Sequence, residues 1–189
     1  GQPFTAWQSA FDPLLAPGHK KADAAKADAK LRDYLHRLQH VQVLDPACGS
    51  GNFLYIAYRE MKRLEARIFE RMNELSKRDD SRQKVLGFVT ASQFHGIDIN
   101  PFAVELAKVT MMIARKLAID ELHMNERALP LDNLDKNFMA ADALIDENGN
   151  PKPWPKADVI IGNPPFLDAR KMTMEQGRKY VGLLEKAFP

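Results

Sequence analysis

Four short stretches of this 189-residue chain carry residue types able to do chemistry, and each sits where an apolar run ends. The last is the most unusual: Val159-Ile160-Ile161 stops at Gly162-Asn163-Pro164-Pro165-Phe166. Two consecutive prolines remove two backbone donors and fix two φ angles, so neither a helix nor a sheet interior continues through them. A polar amide and an aromatic ring are thus held on either side of a stiff joint. The first stretch, "LDPACGSGN" (44–52), has Gly49 and Gly51, which let backbone approach a ligand, and it opens a helix whose first N–H groups lack partners. Its glycine spacing differs from the dinucleotide fingerprint, and Asp45 would repel phosphate and suits a cationic or amino-bearing ligand. A tight turn with no ligand is the alternative. Asp98, ending "FHGIDI", fits a ribose diol, although it lies further from the glycines than the usual spacing of about twenty residues; the alternative is an aspartate capping the next helix. Asp142, in "MAADAL", fits the exocyclic amine of an adenine ring, or simply begins a turn.

Other reactive types are less informative. Cys48, between small residues, reads as a space-filler, and the five histidines show no metal-ligand spacing, so no metal site is expected. Met111-Met112-Ile113 reads as core, and the mixed charges between Arg59 and Lys84 as a solvated helix face. Arg170, Lys171, Arg178 and Lys179 suit either phosphate contacts or plain solvation.

These residues need elements to position them. "KADAAKADAKLRDYLHRLQH" (21–40) is rich in helix formers and completes an N-terminal helical segment over 1–40. Strands are expected at "VQVLDP" (41–46), "SQFHGIDI" (92–99), "NFMAADAL" (137–144) and "DVIIGN" (158–163). A long helix follows Asn52, with Phe53, Ile56, Met61, Leu64, Ile68, Met72 and Leu75 at helical spacing. Another follows Pro101, which is welcome in a first turn. "DENGNPKPWPKA" (146–157) has loop composition, and "MEQGRKYVGLLEKAF" (174–188) reads as a final helix. Strands alternating with long helices make an α/β fold with a parallel sheet, whose ligands sit beyond the carboxyl ends of the strands. Asp45, Asp98, Asp142 and Asn163 all fall there.

Composition sets the outer bounds. With 45% hydrophobic content the chain buries one core. A net charge of +2 allows nucleic acid without demanding it. One cysteine excludes an internal disulfide framework and suits a reducing, cytoplasmic setting. No apolar run approaches membrane-spanning length, and "GQPFTAWQSAFDPLLAPG" lacks the pattern of a signal peptide.

Together, "LDPACGSGNFLY", "FHGIDINPFAVELAK", "AADAL" and "DVIIGNPPF" resemble, in this order, the motifs of the S-adenosylmethionine-dependent amino-methyltransferases of DNA. The likeness is greatest to enzymes acting on the N6 amine of adenine within large fused restriction-modification or phage-defence proteins. It covers about residues 31 to 189. The resemblance implies a Rossmann-like class I methyltransferase sheet, incomplete here, with the first four parallel strands and flanking helices. The partial domain would span 41–189, with a cofactor region over 41–145 and a catalytic loop over 157–170. Asp45, Pro46, Ala47, Gly49 and Gly51 would hold the methionine part of S-adenosylmethionine; Asp98 the ribose; Ile99 and Asp142 the adenine. Asn163 and the Pro164 carbonyl would grip the amine of a flipped-out target adenine, Pro165 would stiffen the joint, and Phe166 would stack on the base. The partner is double-stranded DNA. Three further strands of the family's sheet, the DNA-reading region, a nuclease motif and the family's N-terminal cofactor motif are not recognised in this sequence. A fragment of a larger enzyme is the expectation. The rival methyltransferases, acting on a release-factor glutamine or ribosomal RNA, use a similar Asn-Pro-Pro-aromatic grip. A non-catalytic module with a vestigial grip, and a dinucleotide-dependent oxidoreductase, are the remaining alternatives.

Overall fold

The computed structural model describes residues 21–76, 87–122, 134–165 and 169–189. Helix α1 (Lys21–His40) leads into strand β1 (Val43–Asp45), then α2 (Asn52–Ser76), β2 (Phe94–Asp98), α3 (Pro101–Leu122), β3 (Phe138–Ala140) and β4 (Val159–Ile160). Two short helices, α4 (Ala169–Gln176) and α5 (Arg178–Ala187), follow. The strands form one parallel sheet in the order β3-β2-β1-β4. The chain therefore winds outward from β1 to β3 and then returns to lay β4 on the other side of β1. That reversal opens a crevice at the carboxyl ends of β1 and β4, where ligands of doubly wound sheets bind.

The strands are shorter than their apolar runs suggest, and polar side chains just before them tie the sheet to its neighbours. Gln93 donates from its side-chain amide to the carbonyls of Leu38 and Val41, both at 2.9 Å, tying the end of α1 to the start of β2. Asn137, just before β3, does the same toward β2, donating to Ser92 O at 2.7 Å and to Phe94 O at 3.2 Å.

The core lies between the sheet and the α2–α3 layer. On α3, Val104, Ala107, Met111, Ala114 and Ala118 are buried at alternating spacings of three and four, one helical face. Three of these are alanines, which let α2 and the glycine turn come close: a Cβ at Gly51 would stand 3.1 Å from Ala107 Cα. Asn100 starts α3, accepting the Phe102 N–H at 3.0 Å, with Pro101 at the first helical position. Leu31 and Leu35 of α1 pack with Ile68 of α2 in a second cluster.

Several expectations need correction. The inward face of α2 is Leu54, Tyr58, Lys62, Glu65 and Ile68, whereas Phe53 and Ile56 are 50% and 56% exposed. Two charged residues occupy that face, so counting apolar positions misplaces it. Lys62 and Glu65 are fully buried and paired at 2.8 Å, not part of a solvated face. Their reason is backbone. Lys62 Nζ donates to Val89 O at 3.1 Å, and Glu65 Oε1 accepts N–H groups from Val89 (3.0 Å) and Phe88. The pair supplies the partners that a strandless segment would otherwise lack. Of the methionine cluster, Met111 is buried but Ile113 is 52% exposed. The expected last helix over 174–188 is two helices, beginning at Ala169 and broken at Gly177, whose φ is +85°. Residues 146–157 are not simply a solvent loop: Asp146 organises a turn by accepting the N–H groups of Asn148 and Asn150, and buried Gly149 packs beneath Leu183 of α5. Among the described residues no helix is long and apolar enough to cross a membrane. Residues 1–20 of the expected N-terminal segment lie outside the described residues.

Candidate active site

Asp45 ends β1 and is completely buried. Its Oδ1 accepts the Ala47 N–H at 3.0 Å, while Oδ2, also buried, accepts nothing from the described residues. Burial raises the carboxyl pKa above its ordinary value. The Ala47 hydrogen bond opposes the rise, and the nearby Asp98 carboxylate adds to it. An orphaned carboxylate oxygen is costly unless a cation or donor meets it. Gly162, just after β4, passes so close that a Cβ there would lie 2.5 Å from Asp45 Oδ1, and its φ of +149° is one that side-chain-bearing residues rarely adopt. Glycine is required, because the backbone at 162 passes directly against the Asp45 carboxylate.

Asp98 ends β2. Its Oδ2 accepts the Gly49 N–H at 2.8 Å and its Oδ1 the Asn100 N–H at 2.9 Å. The long sequence separation between the glycine turn and this acid is closed in three dimensions, since β1 and β2 are adjacent parallel strands and Asp45 pairs with Gly96. Asp98 does not cap α3; that is the task of Asn100. Gly49 (φ +50°) and Gly51 (φ +83°) shape the turn between them. Cys48 is buried here, its thiol pushed up to about 12 by burial and by Asp45 and Asp98. It fills space beside Gly96, as a Cβ there would sit 2.8 Å from its Sγ.

Asp142 lies two residues past β3. Its Oδ1 accepts the N–H groups of Leu144 (2.7 Å) and Ile145 (3.2 Å), and its Oδ2 accepts the Tyr180 hydroxyl at 2.7 Å.

A cavity of about 370 Å³ joins these strand ends. Pro46, Ala47, Asp98, Ile99 and Asp142 line one part of it, and Pro164 and Pro165 another. Its volume falls within the usual range of small-molecule sites, about 300–1,000 Å³. Asp45, Gly49, Gly51 and Asn163 stand beside this cavity and are not in its wall. Phe166 lies outside the described residues, so its expected stacking role has no structural counterpart here. Among the described residues no group of histidine, cysteine or acidic side chains is arranged to hold a metal.

Reading of motifs missed the rest of the wall: Trp154, Met172, Gln176, Tyr180 and Leu184. Trp154 Nε1 donates to Ala143 O at 2.6 Å. The last four residues recur every fourth position, a helical stripe whose signal was available. It was hidden because the stripe mixes polar and apolar types and runs through the break at Gly177.

A parallel sheet that reverses at β1, a glycine turn bonded to the acid that ends β2, and a Gly162-Asn163-Pro164-Pro165 loop whose glycine lies against the first strand's acid together define a Rossmann-like methyltransferase domain, represented by its first four strands. Comparison with known families agrees. The family described as "MmeI, DNA-methyltransferase domain" matches residues 20–188, and the chain belongs to it. It is 34% identical over 171 residues to DNA methyltransferase A of Bacillus subtilis (strain 168), covering 87% of this chain and 19% of that protein. It is 26% identical over 165 residues to the adenine-specific methyltransferase PglX of Streptomyces coelicolor, covering 72% of this chain and 13% of PglX. The DNA complex of the type IIL restriction-modification enzyme MmeI matches 64% of this chain and 17% of its own, at 29% identity and a TM-score of 0.48. The chain thus spans less than a fifth of each of these proteins.

Proposed function

We propose that this chain is the cofactor-binding and catalytic part of a cytoplasmic enzyme that methylates the N6 amine of adenine in double-stranded DNA, within a restriction-modification or defence protein. The observation that carries the reading is the shared cavity: Pro164 and Pro165 of the proline loop, Pro46 and Ala47 after β1, Asp98 at the end of β2 and Asp142 after β3 line one space. Membership of a DNA-methyltransferase family supports the reaction class.

S-adenosylmethionine, when bound, supplies a methyl group made electrophilic by its sulfonium. The residues present fit it. The orphaned Asp45 Oδ2 is the buried acceptor that an amino-bearing cation needs, and the turn over Pro46, Ala47, Gly49 and Gly51 carries no side chain large enough to exclude it. Asp98 would accept from the ribose hydroxyls, Ile99 would lie against the adenine ring, and Asp142 would accept from that ring's amine. These residues belong to the cofactor region 41–145 of the partial domain 41–189.

The loop over 157–170 would do the chemistry. The nitrogen of an adenine amine is a poor nucleophile because its lone pair is delocalised into the ring. Donating its two protons to the Asn163 side-chain oxygen and the Pro164 carbonyl would draw it toward tetrahedral geometry and aim the lone pair at the methyl group. The contribution is orientation, together with dipoles placed where positive charge develops on nitrogen. Pro164 and Pro165 offer no N–H to compete for that carbonyl. Phe166 would stack on the flipped base and offset part of the few kcal/mol needed to unstack it.

The test is transfer of tritium from labelled S-adenosylmethionine by the intact protein containing this chain, with unmethylated DNA, RNA and cell protein as separate acceptors. Label recovered as N6-methyladenine in DNA, and reduced at least about 100-fold by Asn163→Ala, is the expected result. Label confined to protein or RNA would overturn the DNA assignment.

A further inference from the structure

Tyr180 is a residue no motif points to, and its hydroxyl makes one directed contact in the wall of the cavity: it donates to Asp142 Oδ2 at 2.7 Å. The geometry of Asp142 explains why that matters. Oδ1 is occupied by two backbone N–H groups, those of Leu144 and Ile145. Each carboxylate oxygen has two lone-pair sites, so Oδ2 keeps one after accepting from Tyr180. Of the two oxygens, Oδ2 is the one left with room for an incoming amine.

We infer that Tyr180 is a positioning residue, which locks the plane of the Asp142 carboxylate so that Oδ2 presents its remaining lone pair to the amine of the cofactor's adenine. The inference rests on the cofactor reading given above and adds to it a residue on the far side of the catalytic loop. Burial, and then the Asp142 carboxylate itself, raise the Tyr180 pKa, so the hydroxyl keeps the proton it donates at neutral pH. Trp154 braces the same loop from its other side through Ala143 O. Between them the two aromatic residues immobilise the 142–145 turn, and binding then costs less ordering of that turn.

A purely structural tyrosine, pinning α5 to the sheet, would look the same in a static picture but would behave differently toward ligands. The experiment measures calorimetric binding of S-adenosylhomocysteine, and of its analogue with hydrogen in place of the purine 6-amine, to the intact protein containing this chain. Tyr180→Phe removes only the hydroxyl. It is expected to weaken S-adenosylhomocysteine about three- to tenfold, the range of one neutral hydrogen bond, and to change the 6-deamino analogue by less than about twofold. In an Asp142→Ala background, Tyr180→Phe is expected to add no further loss. Equal weakening of both ligands, or of neither, would overturn the positioning role while leaving the cofactor reading intact. So would a wild-type protein that binds the two ligands equally. A wild-type protein that binds neither ligand would overturn both.

Discussion

At the scale of single residues, the most consequential group beside the cavity is Asp45, a carboxylate with one oxygen satisfied and one buried without a partner among the described residues. Its ionised form is disfavoured in the ligand-free fold, which is why its pKa is raised. A folded-state pKa above the unfolded value contributes stability below the unfolded pKa and loses it as pH rises through the folded one. At neutral pH Asp45 is therefore a cost to the empty protein, which the amino group of a bound S-adenosylmethionine would offset on the reading proposed above. Asp45→Asn is expected to bind S-adenosylmethionine about 10- to 100-fold more weakly, the worth of one charge-assisted hydrogen bond. The wild type is expected to lose affinity as pH falls toward the raised Asp45 pKa, because protonation removes the acceptor charge, while the variant stays flat across that window. Calorimetric titration between neutral pH and the carboxylate range checks both statements, and equal pH profiles would sink the assignment. The placement of Asp45 and Asp98 at strand ends, and of Asn163 just past the last strand, was legible in sequence because each stands where an apolar run stops. Tyr180 and Trp154 were not, since an aromatic residue in a polar segment has no sequence signature for what it faces.

At the scale of elements, helix type and order were readable, but the facing of α2 was not. Its periodicity named Phe53 and Ile56, whereas the fold turns Lys62 and Glu65 inward. The physical reason is that Phe88 and Val89 leave backbone groups needing buried partners, and the long charged side chains of Lys62 and Glu65 on α2 reach them. A hydrophobicity pattern records apolar demand and is silent on backbone demand. Removing one member of the pair leaves an uncompensated buried charge, which costs about 3–5 kcal/mol. Lys62→Met should lower unfolding free energy by roughly that amount in urea titration, with the loss centred on the 87–90 connection in hydrogen exchange. A change below about 1 kcal/mol, the level of an exposed pair, would mean that the pair is not buried in solution. The break between α4 and α5 has a simpler cause. Gly177 at φ +85° adopts a conformation that L side chains resist, so the chain turns there and brings Tyr180 back to the cavity.

At the scale of the whole molecule, the cavity depends on segments with no reactive residue of their own. The turn at 146–150 supports α5 through Gly149, whose φ is +79° and where a Cβ would meet Leu183 at 2.6 Å. Gly149→Val adds strain of about 1–2 kcal/mol for a side chain at positive φ and pushes α5 from the wall it forms with Tyr180 and Leu184. It should lower the melting temperature and weaken S-adenosylhomocysteine binding, although Gly149 is not in the cavity wall. Melting curves and calorimetry check this, and unchanged binding would show that α5 does not shape the site. By itself the sequence determined the α/β class, the order of strands and helices, and the acids and the proline loop at the strand ends. Local signals encode all of these: turn residues, periodicity, and the stiffness of consecutive prolines. Only the tertiary structure decided that β4 lies beside β1, that Gly49 meets Asp98, that Lys62 and Glu65 face inward, and that Tyr180 reaches Asp142. Each of those contacts joins residues distant in the chain or depends on which backbone groups are left unpaired, and chain order carries neither.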